Sequence, residues 1–306
     1  LYEKIVVVTR KTRLEELIER FNSRGQARFY IESAGGDFSD YQLEHDTYRQ
    51  ELDGLREALD VGLKVQVIER GFVPTFLFTE HDLVVTVGQD GLVANVAKYA
   101  GAQPIVAVNP DPARFDGVLL PFLTRQARAA VEGVLRGKAH IREVTLAEAA
   151  LNDGQKLLAF NDLFLGARSH ISARYRIAVA GASEPQSSSG VLVATGAGSS
   201  GWLSSVFNMA AGVARFSGSD GCQAMQLAWD DPRLVFVVRE PFRSKYSRAD
   251  IVAGTLEAGQ DLVLESLMPT AGVIFSDGIE ADFLGFNSGA IARVRAAEQR
   301  ARLVVQ

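Results

Sequence analysis

Four short segments of this 306-residue sequence combine glycine, carboxylate, amide and hydroxyl groups at spacings that suit chemistry on a phosphate or a sugar. In Val85-Thr86-Val87-Gly88-Gln89-Asp90-Gly91-Leu92 an apolar strand breaks into a glycine-containing loop and enters a helix. Glycine lets backbone N–H groups approach phosphate oxygens, and the helix N-terminus adds partial positive charge. Asp90 then offers a carboxylate to a hydroxyl that is a poor nucleophile until it sheds its proton. Taken alone, a Gly-x-Asp-Gly turn that only caps a helix is the commoner explanation. Phe160-Asn161-Asp162-Leu163 sets an amide beside a carboxylate in an apolar run. Such a pair is costly unless partnered and could bind ribose hydroxyls or a carboxamide; a bulge or turn between two strands is the plainer reading.

The third segment, Ser187 to Trp202, leads a strand through a small-residue loop (Thr195-Gly196-Ala197-Gly198-Ser199-Ser200-Gly201) into a helix. It leaves backbone and hydroxyl donors free and ends on an aromatic that can stack on a base. The lysine of a P-loop is absent, and a plain connection would tolerate these residues without needing so many. The fourth, Ser276-Asp277-Gly278, is first of all a hairpin signal. His45, His81, His140 and His170 lie apart with no metal-ligand spacing, and no serine pairs with them, so hydrolase and metalloenzyme readings rank low.

Those segments need a scaffold. The first 110 residues alternate as an α/β domain with a mostly parallel sheet. Lys4 to Thr9 is a β-branched strand, and a capping box at Thr12 and Glu15 starts a helix burying Leu14, Leu17, Ile18 and Phe21, with Gly25 as its stop. A helix over Asp40 to Asp60 presents Tyr48, Leu52, Leu55 and Leu59. Strands follow at 63–68, 83–87 and 104–108, with a crossover helix over 92–100. From about Glu143 short β-rich runs predict an all-β, sandwich-like domain: 157–165, 175–180, 191–194, 234–238, 262–264 and 272–275, interrupted by a helix over 202–214. The Pro-Gln-Ser-Ser-Ser tract within Ser183 to Ser189 reads as the most flexible stretch.

The formal charge of −5 argues against a general nucleic-acid binder. The lone Cys222 leaves no intrachain disulfide and no cysteine metal cluster, which fits a reducing, cytoplasmic compartment. No apolar run is long enough to span a bilayer, and Leu1-Tyr2-Glu3-Lys4 lacks the layout of a signal peptide, so a soluble protein with no membrane partner is expected.

In order and spacing the four segments resemble the diagnostic series of the NAD kinase family. Gly88-Gln89-Asp90-Gly91 is similar to its Gly-Gly-Asp-Gly loop, Asn161-Asp162 to its Asn-Glu pair, Thr195 to Trp202 to its Thr-Pro-Thr-Gly-Ser-Thr-Ala-Tyr stretch, and Asp277-Gly278 to its late aspartate turn. The runs 103–112, Ser188-Ser189-Gly190, Arg239-Glu240-Pro241 and 286–292 resemble the divergent branch that includes mitochondrial-type enzymes. The resemblance implies an NAD kinase/diacylglycerol kinase-like fold. It comprises an α/β domain over residues 1–122, a β-rich NAD-binding domain over 123–284, and a segment 285–306 returning to the first domain. It implies phosphoryl transfer from ATP with Mg2+, or from polyphosphate, to the 2′-hydroxyl of NAD in a homodimer or homotetramer. By position Asp90 would be the general base, and Gly88, Gln89 and Gly91 would meet donor phosphates. Asn161, Asp162, Thr195, Ser200, Gly201, Trp202, Ser205 and Asp277 would serve NAD, with no protein metal site. Arg239 and Arg243 are candidates for donor phosphates, a solvated surface role being as good an account. Gln89 stands where the family has a second glycine, adding a side chain and disfavouring φ > 0, and Leu92 replaces a threonine. A non-catalytic NAD sensor, or a kinase for a lipid or other hydroxyl, is the competing reading.

Overall fold

The computed structural model describes residues 2–306, so Leu1 of the amino-terminal stretch lies outside the described residues. The chain divides into two units, one running to Arg142 and including Arg302–Gln306, the other spanning Glu143–Ala301.

The amino-terminal unit begins with β1 (Lys4–Thr9), whose Ile5 to Val8 are fully buried, as expected of a central parallel strand covered on both faces. Each such side chain contributes roughly 1.5–3 kcal/mol by leaving water. The Thr12 capping box starts α1 (Arg13–Phe21) as expected: Thr12 Oγ accepts from the Glu15 N–H and the Glu15 carboxylate from the Thr12 N–H. The helix does not run to Gly25. Asn22 ends it at φ 60°, a left-handed conformation that asparagine tolerates, and Ser23 caps a second helix, α2 (Arg24–Ser33), that contains Gly25. Next come α3 (Phe38–Ala58), β2 (Lys64–Glu69), β3 (Asp82–Val87), α4 (Asp90–Ala97), β4 (Pro104–Asn109), β5 (Phe122–Leu123) and α5 (Thr124–Leu135).

The strands are parallel in the order β2-β1-β3-β4, with Arg302 and Leu303 pairing in parallel beyond β4. Tyr48, Leu52 and Leu55 of α3 and Ala127, Val131 and Val134 of α5 pack on this sheet in one core. From β1 the chain moves outward to β2 and then returns to the other side of β1 as β3. The β1/β3 boundary is therefore a topological switch point, where open α/β sheets leave a crevice at the strands' carboxyl ends.

The second unit is built from most of β6 (His140–Leu151), β7 (Lys156–Ala159), β8 (Asp162–Ala167), β9 (Ala173–Val179), β10 (Ala182–Ser188), β11 (Val191–Ala194), α6 (Trp202–Phe216), β12 (Leu234–Val238), β13 (Ala253–Leu256), β14 (Leu262–Ser266), β15 (Gly272–Ser276), β16 (Ile279–Gly285) and β17 (Ile291–Val305) up to Ala301. One sheet has the antiparallel order β13-β12-β11-β8-β15-β16; the other contains β10-β9-β14-β17 with β6 and β7. Their inner faces meet in one core, where Leu163, Val193 and Phe236 of the first join Tyr175, Leu264 and Val294 of the second. The amphipathic α6 covers the outer face of the first sheet through Leu203 against Leu192 and Val235.

The tract over 183–189 is not a flexible loop; most of it is β10, paired in register with β9. Its polar composition hides a strict alternation in which Glu184, Gln186 and Ser188 face inward and are buried. Tyr175 donates to Gln186, and the Glu184 carboxylate accepts the Asp250 and Ile251 N–H groups, so these buried groups are paired. Pro185 is tolerated because β10 is an edge strand.

Candidate functional site

Three of the four sequence segments converge in the second unit. The expected continuous strand over 157–165 is broken at Phe160-Asn161, between β7 and β8, and the break is held from both sides. The Asp277 carboxylate accepts from the N–H groups of Phe160 (3.0 Å), Asn161 (2.6 Å) and Asp162 (3.3 Å). Thr195 Oγ donates to the Phe160 carbonyl (2.6 Å) and the Thr195 N–H to the Asn161 carbonyl (2.9 Å). Asp277 and Gly278 both have positive φ, 54° and 71°, and form the two-residue turn joining β15 to β16. This hairpin is thus the device that aims a carboxylate at three successive amides. Thr195 is fully buried and its hydroxyl also accepts the Gly198 N–H (3.2 Å). Gly198 must be glycine, since a Cβ there would lie 2.0 Å from the Asn161 carbonyl oxygen.

The backbone at 160–162 is therefore fixed while its side chains stay unspent. Neither the Asn161 amide nor the Asp162 carboxyl makes a hydrogen bond among the described residues. Asp162 is 7% exposed, and burial, with a smaller push from the Asp277 charge, raises its carboxyl to about 7. At neutral pH it can both donate and accept.

Beside this cluster lies a cavity of about 660 Å³ with aromatic walls. Trp202, the first residue of α6, stacks on Phe164 of β8 (centroids 5.7 Å, 16° between planes), and Phe164 meets Phe275 at 4.9 Å. Two glycines admit the Phe164 ring: a Cβ on Gly166 or Gly190 would fall 2.6 or 2.5 Å from it. The Arg239 guanidinium lies 5.3 Å from the Trp202 ring and that of Arg168 4.0 Å from Phe283, both at the wall. Phe164, Phe275 and Arg168 went unnoticed in the sequence, since only the folded sheet brings Gly166 and Gly190 against the Phe164 ring. Ser200, Gly201 and Ser205 are exposed around the start of α6. Arg243 is ion-paired with Asp250 (2.7 Å) on the surface.

The remaining segment belongs to the amino-terminal unit. Gly88 follows β3, Gln89 caps α4 and Asp90 is its first residue. Asp90 Oδ1 accepts from the Leu119 N–H (2.6 Å), which ties down the chain after β4, while Oδ2 has no partner among the described residues. Gln89 sits at φ −116°, ψ 168°, extended backbone open to any residue, so the expected conflict with a glycine-only conformation does not arise. At Gly88 a Cβ would meet the end of the Leu92 side chain at 2.9 Å, so a larger residue there would make that leucine shift. Leu92, in place of a threonine, is fully buried. Among the described residues no group of three His, Cys, Asp or Glu side chains could hold a metal, and no helix is long and apolar enough to cross a membrane.

This fold, a parallel α/β unit joined to an antiparallel two-sheet unit, matches solved structures of NAD kinases. The yeast NADH kinase, solved with NADH, is similar over 100% of this chain and 84% of its own, at 16% identity and a TM-score of 0.59. An NAD kinase from Archaeoglobus fulgidus, solved with ATP, is similar over 98% of this chain and 93% of its own, at 14% identity and a TM-score of 0.53. No family model matches the sequence, and no curated protein matches it. The likeness is one of fold.

Proposed function

We propose that the protein transfers a phosphoryl group from ATP, or from polyphosphate, to the adenosine 2′-hydroxyl of NAD. The observation that carries this reading is the full-length fold shared with an NADH kinase and an NAD kinase, met independently by the ordered motif series. Asp90 accepts the hydroxyl proton on Oδ2, its free oxygen, while the Leu119 N–H holds Oδ1 and fixes the carboxylate plane. Gly88, Gln89 and Gly91 turn backbone N–H groups of the α4 N-terminus toward donor phosphates. Asn161 and Asp162, presented by the Asp277 and Thr195 clamp, hydrogen-bond the dinucleotide's ribose hydroxyls. Trp202 and Phe164 stack on a ring of the dinucleotide in a cavity of ligand size, with Ser200, Gly201 and Ser205 at its approach. Magnesium needs only one or two carboxylates when phosphates supply its other oxygens, so a donor-borne ion fits a protein with no preformed three-ligand cluster among its described residues. That ion would offset charge on the transferring phosphoryl group.

The test is NADP formation by the purified protein from NAD, Mg2+ and ATP. NADH and polyphosphate serve as parallel substrates and Asp90→Asn as the control. Loss of a general base costs about 10²–10⁴ in rate, and the variant is expected to fall by that much while still binding NAD. Unaltered turnover would remove Asp90 from this role. NAD binding with no product under any condition would instead establish a sensor.

A further inference from the structure

The carboxyl ends of the parallel strands open on a cleft of about 460 Å³ inside the amino-terminal unit. Its cations come one strand at a time: Arg10 and Lys11 follow β1, Arg70 follows β2, and Arg114 follows β4, with Arg13 from α1 beside them. Gln89, after β3, completes the ring. Most of this charge is already held in place. Arg13 and Arg114 grip Asp40 at 2.8 and 2.6 Å, which keeps that carboxyl down at about 2, and Arg10 pairs with the buried Glu44 at 3.0 Å. Lys11 pairs with Glu19 at 2.7 Å. Glu16 and Glu69 also face the cleft, and Glu69 accepts the Gly71 N–H.

Three donors lack a hydrogen-bond acceptor among the described residues: Arg70, Arg10 Nε and Arg114 Nε, the last of which still lies 3.5 Å from the Asp111 carboxylate. Arg70 has no ion pair or hydrogen bond among the described residues. The Arg10 side chain is only 9% exposed, yet its Nε is buried with no acceptor. A buried charged donor is costly without a partner, and native proteins rarely leave one so. The Tyr48 hydroxyl, which accepts from the Arg10 N–H and donates to the Val87 carbonyl, anchors this arginine at the β1/β3 switch point.

The cations are strung along three strand ends and not focused on one point, which matches a chain of phosphates better than a single oxyanion. Nothing in the cleft offers a stacking platform for a base: Phe115 is its one aromatic among the described residues, and Arg10 already faces that ring at 5.5 Å. We propose that this cleft seats the phosphate chain of the donor, with Arg10 Nε and Arg70 as its direct contacts, and that it reads phosphates without reading the base. The inference rests on the kinase reading above, which assigned no Lys or Arg to the donor.

The test is calorimetric titration of inorganic tripolyphosphate into the full chain without metal, for the wild type and for Arg70→Gln. Arg70 is half-buried and has no internal partner to lose. NAD is titrated into both proteins in parallel. The wild type is expected to bind tripolyphosphate, ATP to compete with it, and adenosine to leave it in place. Arg70→Gln should bind about tenfold more weakly, for one lost charge-assisted contact, with NAD affinity unchanged. Equal binding by both proteins, no binding by the wild type, or displacement by adenosine would overturn the proposal. NADP made from ATP without tripolyphosphate binding would remove the cleft assignment and leave the kinase. Binding weakened by Arg70→Gln with no NADP from any donor would do the reverse.

Discussion

Replacing Asp162 by asparagine isolates the cost of a buried carboxyl. In the unfolded chain an aspartate titrates near pH ~4; folded, burial and then the Asp277 charge hold Asp162 at about 7. Between those values the folded chain keeps a proton that the unfolded chain has shed, so the contribution to stability is full below pH ~4, declines as pH rises, and is gone above the folded value. The span of about three pH units at ~1.4 kcal/mol each gives ~4 kcal/mol as an order of magnitude. Asp162→Asn cannot ionise, and its other carboxylates match the wild type. Its stability relative to the wild type should therefore climb by ~1.4 kcal/mol per pH unit from about pH 4 to pH 7 and then level. Both tryptophans, Trp202 and Trp229, lie in the second unit, so denaturant unfolding followed by tryptophan fluorescence reports on the unit that holds Asp162. A difference between the two proteins that stays flat from pH 4.5 to 7.5, to within about 1 kcal/mol, would refute the argument.

Asp277→Ala removes the acceptor of three amides and puts alanine at positive φ; at ~1 kcal/mol per bond and ~1–2 for the backbone, denaturation should show a loss of ~4–5 kcal/mol. Gly198→Ala drives a methyl into the Asn161 carbonyl and should cost ~3 kcal/mol or more in the same assay. Gly91→Ala, in a helix with open space, should stabilise the first unit by ~0.5–1 kcal/mol. Gln89→Gly should change stability little in melting experiments, since glycine is accepted at a helix N-cap, and leave turnover little changed, because its extended backbone needs no glycine; a large gain in activity from an inert parent would restore the sensor reading.

What the sequence disclosed followed how directly burial is written into residue type. β1, β11 and β12 are apolar runs buried along most of their length, and their limits were visible at once. α2 was hidden because Gly25 looks like a stop, although Ser23 is a good cap and Asn22 the better terminator. α5 carries Ala127, Val131 and Val134 at helical spacing and was readable but passed over. β10 was misjudged because its inward face is polar and satisfied by Tyr175 of the neighbouring strand and by backbone groups around residue 250, which no local pattern reveals. The polar clusters behaved likewise. Asn161, Asp162, Thr195 and Asp277 stood out as polar groups in apolar or glycine-rich settings, and the structure gathers them. That Thr195 and Asp277 spend their atoms on backbone could not be read from spacing. The cleft cations Arg10 and Arg70 were invisible because each lies after a different strand, and only the parallel sheet brings them to one edge.

The inward polar face of β10 also bears on how the chain is made. Glu184 and Gln186 find their partners at Asp250 and Ile251, 65 to 67 residues further on. Until that distant stretch emerges from the ribosome, β10 can pair with β9, but the Glu184 carboxylate lacks the two backbone amides that answer it, so its full docking trails synthesis by that length. During that interval the sheet presents an unfinished edge. Pro185, which cannot donate to a neighbouring strand, then guards the nascent protein against pairing with a second chain.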